Sequence, residues 1–268
     1  MGRSYTCCDI LCCPCICCLR TDRLCFDVED GNWREAFSQA GGCWAACCYG
    51  VYPAFRASLF LLWLVCVGQS FYAHIDYYNS PFGYWFTQLT HWSALLQLAY
   101  LGFAMYSAIK ANTPRPKVEV EKTPCYVSLT WALGTAVPVV ALMVMVLYWG
   151  LVYEGGPVRL ETVTMHGGNL ALAIIDIIST RQPYYIHHVY VPMLFAAIYM
   201  GFTYIYYRAG GTNSAGDPYI YSSLDWSEPQ DVGRMAAIVI LVAGPAAYML
   251  FFVLVAMRRC CQKRIDSE

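Results

Sequence analysis

Hydrophobic residues run through this chain in long blocks rather than at helical or strand alternation. Six stretches are apolar over about twenty residues or more: 51–72, 84–106, 126–149, 158–180, 186–207 and 232–257. A hydrocarbon core about 30 Å thick needs about 20 helical residues per crossing, so each stretch has the length of a membrane span. The pattern predicts an all-α, polytopic bundle of six transmembrane helices. Pro138 and Pro245 interrupt the third and sixth stretches, as packed membrane helices tolerate. Arg56 lies near the start of the first and is expected to snorkel to the headgroups.

Polar segments between the spans set the orientation. Fourteen basic residues fall on one side: Arg3, Arg20, Arg23, Arg34, Arg56, Lys110, Arg115, Lys117, Lys122, Arg181, Arg258, Arg259, Lys263 and Arg264. The other side has only Arg159, Arg208 and Arg234. The positive-inside rule then places both termini in the cytoplasm, as an even number of spans requires. Residues 1–50 form a cysteine-rich cytoplasmic segment, 51–257 the bundle and 258–268 a short basic tail. The first 50 residues lack the apolar core of a secretory signal, so the first span is expected to be the uncleaved anchor. Residues 110–123 read as an exposed linker with two prolines, and 209–231 as a longer outer loop rich in Gly, Asp and aromatics.

Composition agrees. The 268 residues are 58 % hydrophobic and only 13 % charged, too few charges to cover a soluble surface. The 22 Tyr and 8 Trp suit an interfacial belt. Net charge is −1, and no basic patch, P-loop, GxGxxG or zinc-spaced cluster occurs; nothing points to nucleic acid, a metal or a cofactor.

Eleven of the fifteen cysteines lie in the first 48 residues. Cytoplasmic thiols stay reduced, which argues against a disulfide framework. The opening MGRSYT places Gly2 for myristoylation, and one acyl chain anchors stably only with a second signal. Gly2 with Cys7, Cys8, Cys12, Cys13, Cys15, Cys17 and Cys18 therefore reads as an acylated segment on the inner leaflet, and Cys260 and Cys261 behind the last span as further acylation candidates. An unmodified reduced segment and metal binding are the alternatives.

Ionisable groups at bilayer depth are costly and face the bundle interior. In the fourth span, with Thr162 at 0° and about 100° per residue, His166 falls near 40°, Asn169 near 340°, Ala173 near 20°, Asp176 near 320° and Thr180 near 0°. One stripe carries a histidine, an amide and a carboxylate. Gly167 and Gly168 would admit a neighbouring backbone or a substrate. In the second span Thr90, Ser93 and Gln97 share a face, with Thr87 at its edge and His91 turned away. Thr90 and His166 lie roughly 9 and 12 Å below the outer boundary, so they meet if the two helices are neighbours. A neutral imidazole can take a Thr proton and return it to a leaving group, with Asn169 to orient the ring or hold an oxyanion. The same residues would equally serve as a packing network. Asp176 sits roughly 15 Å deeper as a satisfied core carboxyl, and His187 and His188 read as interfacial.

FTQLTHWS (residues 86–93), MHGGN (165–169) and AGGTNSAGDPYIYSSLDWSEP (209–229) resemble the rolling stone proteins, in a superfamily with the androgen-induced membrane hydrolases. The resemblance runs from about residue 51 to the end of the sixth span. In the hydrolase branch a Thr and a His cleave fatty acid esters of hydroxy fatty acids within the membrane. The resemblance places that pair at Thr90, in Leu89-Thr90, and at His166, in His166-Gly167. Met165 departs from the Asn expected before the histidine, as does Gly168-Asn169 after it. Rolling stone members are associated more with cell-surface roles, including muscle precursor fusion.

Three readings follow. One is an intramembrane lipid ester hydrolase using Thr90 and His166. Another is a non-enzymatic plasma-membrane protein for adhesion, fusion or scaffolding, whose outer loop 209–231, with Tyr219, Tyr221 and Trp226, binds a protein partner of unknown identity. A transporter is the weakest, since only Asp176 suggests an ion path. Expected partners are membrane lipids, with a fatty acid ester as substrate in the first reading, and the plasma membrane is preferred over the endoplasmic reticulum.

Overall fold

The computed structural model describes residues 26, 33–38, 51–77, 81–114, 122–156 and 158–266, the last six of these by backbone only. The described chain is helical and lacks extended strands. Six helices are long and apolar enough to cross a membrane. With two short helices they are numbered α1 (Trp33–Ser38), α2 (Tyr52–Asp76), α3 (Phe82–Trp85), α4 (Leu89–Asn112), α5 (Cys125–Val152), α6 (Leu160–Ser179), α7 (Ile186–Arg208) and α8 (Pro229–Cys260). Leu61, Leu62, Val65, Leu194, Ile198, Ile205, Leu241, Val242 and Leu250 point outward and are exposed. An apolar outer surface on several long helices is what an integral membrane protein presents to lipid.

Inside, α4 packs most extensively on α5 and α2, and α5 also meets α6, α7 and α8. Leu59, Trp63, Leu101, Val139, Ala141, Ala173, Tyr248 and Phe251 belong to one continuous apolar core. Gly134 of α5 permits a close crossing. A Cβ there would stand 2.3 Å from Gln182 Nε2 and 2.7 Å from a Tyr100 ring carbon. At the end of α4 the short α1 docks through Trp33, which is fully buried with Phe37, Val127 and Trp131. The Arg34 guanidinium donates to the carbonyls of Lys110 and Ala111, in the last turn of the helix.

Four features depart from the sequence reading. The second span starts at Leu89, not residue 84, because side chains satisfy the carbonyls of the preceding turn. His91 Nδ1 bonds Trp85 O at 2.6 Å and Trp92 Nε1 donates to Phe86 O at 2.7 Å. Neither proline breaks its helix. Pro138 lies inside a continuous α5, and a wide π turn, Val239–Ala243, precedes Gly244 and Pro245. Such a turn makes room for a ring that cannot donate an N–H. Third, Arg56 does not snorkel. It is 2 % exposed, pairs with Asp176 of α6 and donates from Nε to the Tyr52 hydroxyl at 2.8 Å. Finally, His188 is fully buried against Phe26, Trp131 and Tyr185 rather than interfacial.

Candidate functional site

Helices α4 and α6 run parallel and in register. Thr90 bonds His166, Ser93 bonds Asn169, and Tyr100 bonds Asp176, each pair 76 residues apart. A constant offset along two helices requires the same direction and the same rise, which alternating spans two and four supply. The polar stripe of α6 and the Thr90–Ser93–Gln97 face of α4 thus meet as successive rungs.

The first rung carries the chemistry. Thr90 Oγ1 lies 3.1 Å from His166 Nε2. His166 Nδ1 lies 2.8 Å from the carbonyl oxygen of Thr162. A carbonyl only accepts, so the neutral ring carries its proton on Nδ1 and turns the Nε2 lone pair to the Thr90 hydroxyl. Thr90 O–H therefore donates to His166, the arrangement of a nucleophile and its base. The Tyr148 ring stacks on the imidazole, centroids 3.4 Å apart and 16° from parallel, and fixes its plane. Both rings sit in π turns, Tyr148–Val152 and Thr164–Gly168, whose wider backbone shifts the local phase of the helices. Thr90 itself stands at the second residue of α4, where the helix dipole favours negative charge.

Asn169 does not orient the histidine. Its Nδ2 donates to Ser93 Oγ at 2.8 Å, and Oδ1 is enclosed with no partner among the described residues, as is Gln97 Oε1. The backbone carbonyl of Thr162 takes the orienting role. Nor do the two glycines receive a neighbouring backbone: a Cβ at Gly167 would meet nothing within 4 Å and one at Gly168 chiefly the side chain of Thr164. Asp176 belongs to another cluster near the opposite end of α6. It accepts from Tyr100 O–H at 2.5 Å and pairs with Arg56, while Arg258 donates to the carbonyls of Ile177 and Gln182 at 2.6 and 2.9 Å.

Around the pair lies a cavity of about 610 Å³. Thr90, His91, His166, Ser70 and His74 line its polar end, and Val139, Val140, Met143, Val144, Leu147, Met193 and Phe195 its apolar length. Leu151 and Val152 belong to its wall and are also exposed, so the wall reaches the outer surface at the end of α5. A long apolar slot with a few convergent polar groups is the form of a small-molecule site. His91 is already committed: Trp85 O holds its Nδ1, Ser70 Oγ its Nε2 at 3.4 Å, and the Trp85 ring stacks on it. Among the described residues no group of three His, Cys, Asp or Glu side chains is placed to hold a metal ion.

Part of the cavity wall comes from the loop after α7, which contributes Ser214, Tyr221, Ser223 and Leu224. The loop after α7 turns Tyr221 inward, and its hydroxyl oxygen accepts from Leu89 N–H at 3.0 Å. Burial pushes the Tyr221 phenol up to about 12, against the opposing pull of its hydrogen bonds with Leu89, Tyr199 and Thr90. Leu224 of the same loop packs with Tyr199 and Val232. Trp226 is also turned in, with Nε1 donating to Thr203 Oγ1 at 3.1 Å. Only a motif match, not periodicity, marks such loop residues in sequence.

The profile described as protein rolling stone matches residues 42–267. The chain belongs to the rolling stone family. Protein rolling stone of Drosophila melanogaster is 31 % identical over 103 residues, which is 37 % of this chain and 38 % of that protein. The matched part thus spans under two thirds of the relative's length. No solved structure matches. Of the acylation candidates, Gly2, Cys7, Cys8, Cys12, Cys13, Cys15, Cys17 and Cys18 lie outside the described residues, as does the side chain of Cys261. Cys260, in the last helix, is partly buried.

Proposed function

We propose that this rolling stone family member is an intramembrane hydrolase of long-chain fatty acid esters, with Thr90 as nucleophile and His166 as base. One observation carries the reading: a Thr hydroxyl hydrogen-bonded to an imidazole of fixed tautomer, at the polar end of an apolar cavity of about 610 Å³. His166 Nε2 takes the Thr90 proton as Oγ1 attacks the ester carbonyl. The tetrahedral intermediate collapses, the leaving alkoxide receives that proton, and an acyl-Thr90 ester remains. Water, deprotonated by the same nitrogen, then releases the acid and restores Thr90. An apolar slot matches an acyl chain drawn from lipid. The excess of basic residues on one side supports cytoplasmic termini, and the N-terminal string supports a plasma-membrane protein with acyl groups on Gly2 and those cysteines holding the segment to the inner leaflet.

The test is hydrolysis of a fatty acid ester of a hydroxy fatty acid by purified protein in detergent. His166→Ala should lose about 10²–10⁴-fold in kcat, and Thr90→Ala should abolish turnover, with both variants folded. A parent inert across a broad ester panel and unlabelled by a long-chain fluorophosphonate overturns the reading.

A further inference from the structure

A nucleophile and a base leave one requirement of acyl transfer unmet, a donor for the oxygen that becomes negative when the carbonyl is attacked. Asn169, three residues beyond the base, donates to Ser93. The Tyr221 hydroxyl is differently placed. It faces the Thr90 hydroxyl and the first N–H groups of α4, and it opens onto the same cavity. Its oxygen accepts from Leu89 N–H, which strengthens the O–H as a donor. The neighbouring Tyr199 hydroxyl already donates to Thr87 O at 2.8 Å, and the Thr90 hydroxyl donates to His166. The Tyr221 proton is thus left with only neutral oxygens to face, Thr90 Oγ1 and the Tyr199 hydroxyl.

We propose that Tyr221 is a third catalytic residue, whose hydroxyl donates the hydrogen bond that holds the oxyanion formed when Thr90 attacks an ester. The proposal rests on the hydrolase reading above. As Oγ1 bonds to the carbonyl carbon, the π pair moves onto the carbonyl oxygen, and Tyr221 O–H binds that oxygen without giving up its proton. The pair returns when the alkoxide leaves. An ionised acceptor makes a hydrogen bond about twice as strong as a neutral one, so the interaction favours the transition state over the bound ester. A phenol that stays protonated up to about 12 donates at every physiological pH and cannot compete with His166 for the Thr90 proton. The titratable groups around it are Tyr199 of α7 and, across Thr90, His166 of α6. The outer loop that carries Tyr221 thereby becomes part of the active site.

Tyr221→Phe, assayed on the same ester, should lose about 10²–10³-fold in kcat with KM little changed. Labelling by the fluorophosphonate, whose phosphoryl oxygen gains negative charge as Oγ1 attacks phosphorus and fluoride leaves, should slow in parallel. An active parent with a Tyr221→Phe variant of undiminished kcat overturns this proposal and leaves the Thr90–His166 reading standing; an inert parent overturns both. Should Tyr221→Phe fail to fold, a fluorinated tyrosine at position 221 keeps ring and hydroxyl but ionises at lower pH. A phenolate cannot donate, so the alkaline limb of kcat should move down with the phenol. An unmoved limb overturns the proposal.

Discussion

Replacing Asp176 by Asn tests whether the Arg56–Asp176 pair holds the bundle together. The two side chains are 3 % and 4 % exposed, so neither reaches water. The Asn side chain keeps the shape and still offers an oxygen to Tyr100, which lies 2.5 Å from the carboxylate. What changes is the charge opposite Arg56, whose other partners among the described residues are neutral: the Tyr52 hydroxyl at 2.8 Å, the Tyr52 ring at 5.0 Å and the Tyr100 hydroxyl. Removing one member of a buried pair costs about 3–5 kcal/mol, because the other charge stays behind unpaired. At about 2–4 °C per kcal/mol for a chain of this size, the midpoint should fall by about 6–20 °C. Heating in detergent followed by size-exclusion chromatography reads the shift. The double variant Arg56→Met with Asp176→Leu removes both charges and should recover most of the loss, since apolar replacement of a whole pair is often neutral or better. An Asp176→Asn midpoint within about 2 °C of the parent, or a double variant worse than the single one, refutes the reasoning.

Ser93→Ala should destabilise by about 1–3 kcal/mol, measured the same way, because it strands Asn169 Nδ2 in a site where Oδ1 has no partner among the described residues. A neutral result would mean that solvent reaches the rung. For the orientation, epitopes fused to either terminus should be detected only after the plasma membrane is permeabilised; staining of intact cells would invert the bundle.

The spans were legible from block length, and the Thr90–His166 pair from the helical repeat once the two helices are neighbours. Blocks of about twenty apolar residues mark crossings, and the 3.6-residue repeat put His166, Asn169 and Asp176 on one side of α6. What the repeat cannot supply is the partner of a charge. Arg56 sits near a span end, where snorkelling is the ordinary solution, and its carboxylate comes from 120 positions further on. Depth suffered in a similar way. Apolar residues continue back to Tyr84, so the break before Leu89, made by His91 and Trp92 capping the turn, left no hydropathy signal. The π turns around Tyr148 and His166 are equally silent, since they reflect tertiary packing rather than composition. Tyr221 was visible as an aromatic in an outer loop, but the side it faces depends on Leu89 N–H being free at the start of α4.

The shared offset of 76 residues ties these pieces together. Sliding α6 by one residue against α4 would move it about 1.5 Å and turn it about 100°, breaking all three rungs at once. Register is therefore over-determined: the Asp176 cluster and the Ser93–Asn169 bond fix the same alignment that brings Thr90 to His166. A two-residue catalytic pair on two separate helices needs such support, because a displacement of about 1 Å is enough to cost about 10²-fold in rate. The ion pair is best understood as part of the site's scaffold rather than as a proton or ion path. It lies among Tyr52, Tyr100 and the carbonyl-bound Arg258, where the adjoining cavity is only about 10 Å³, one water at most, and shares no lining residue with the large cavity around Thr90.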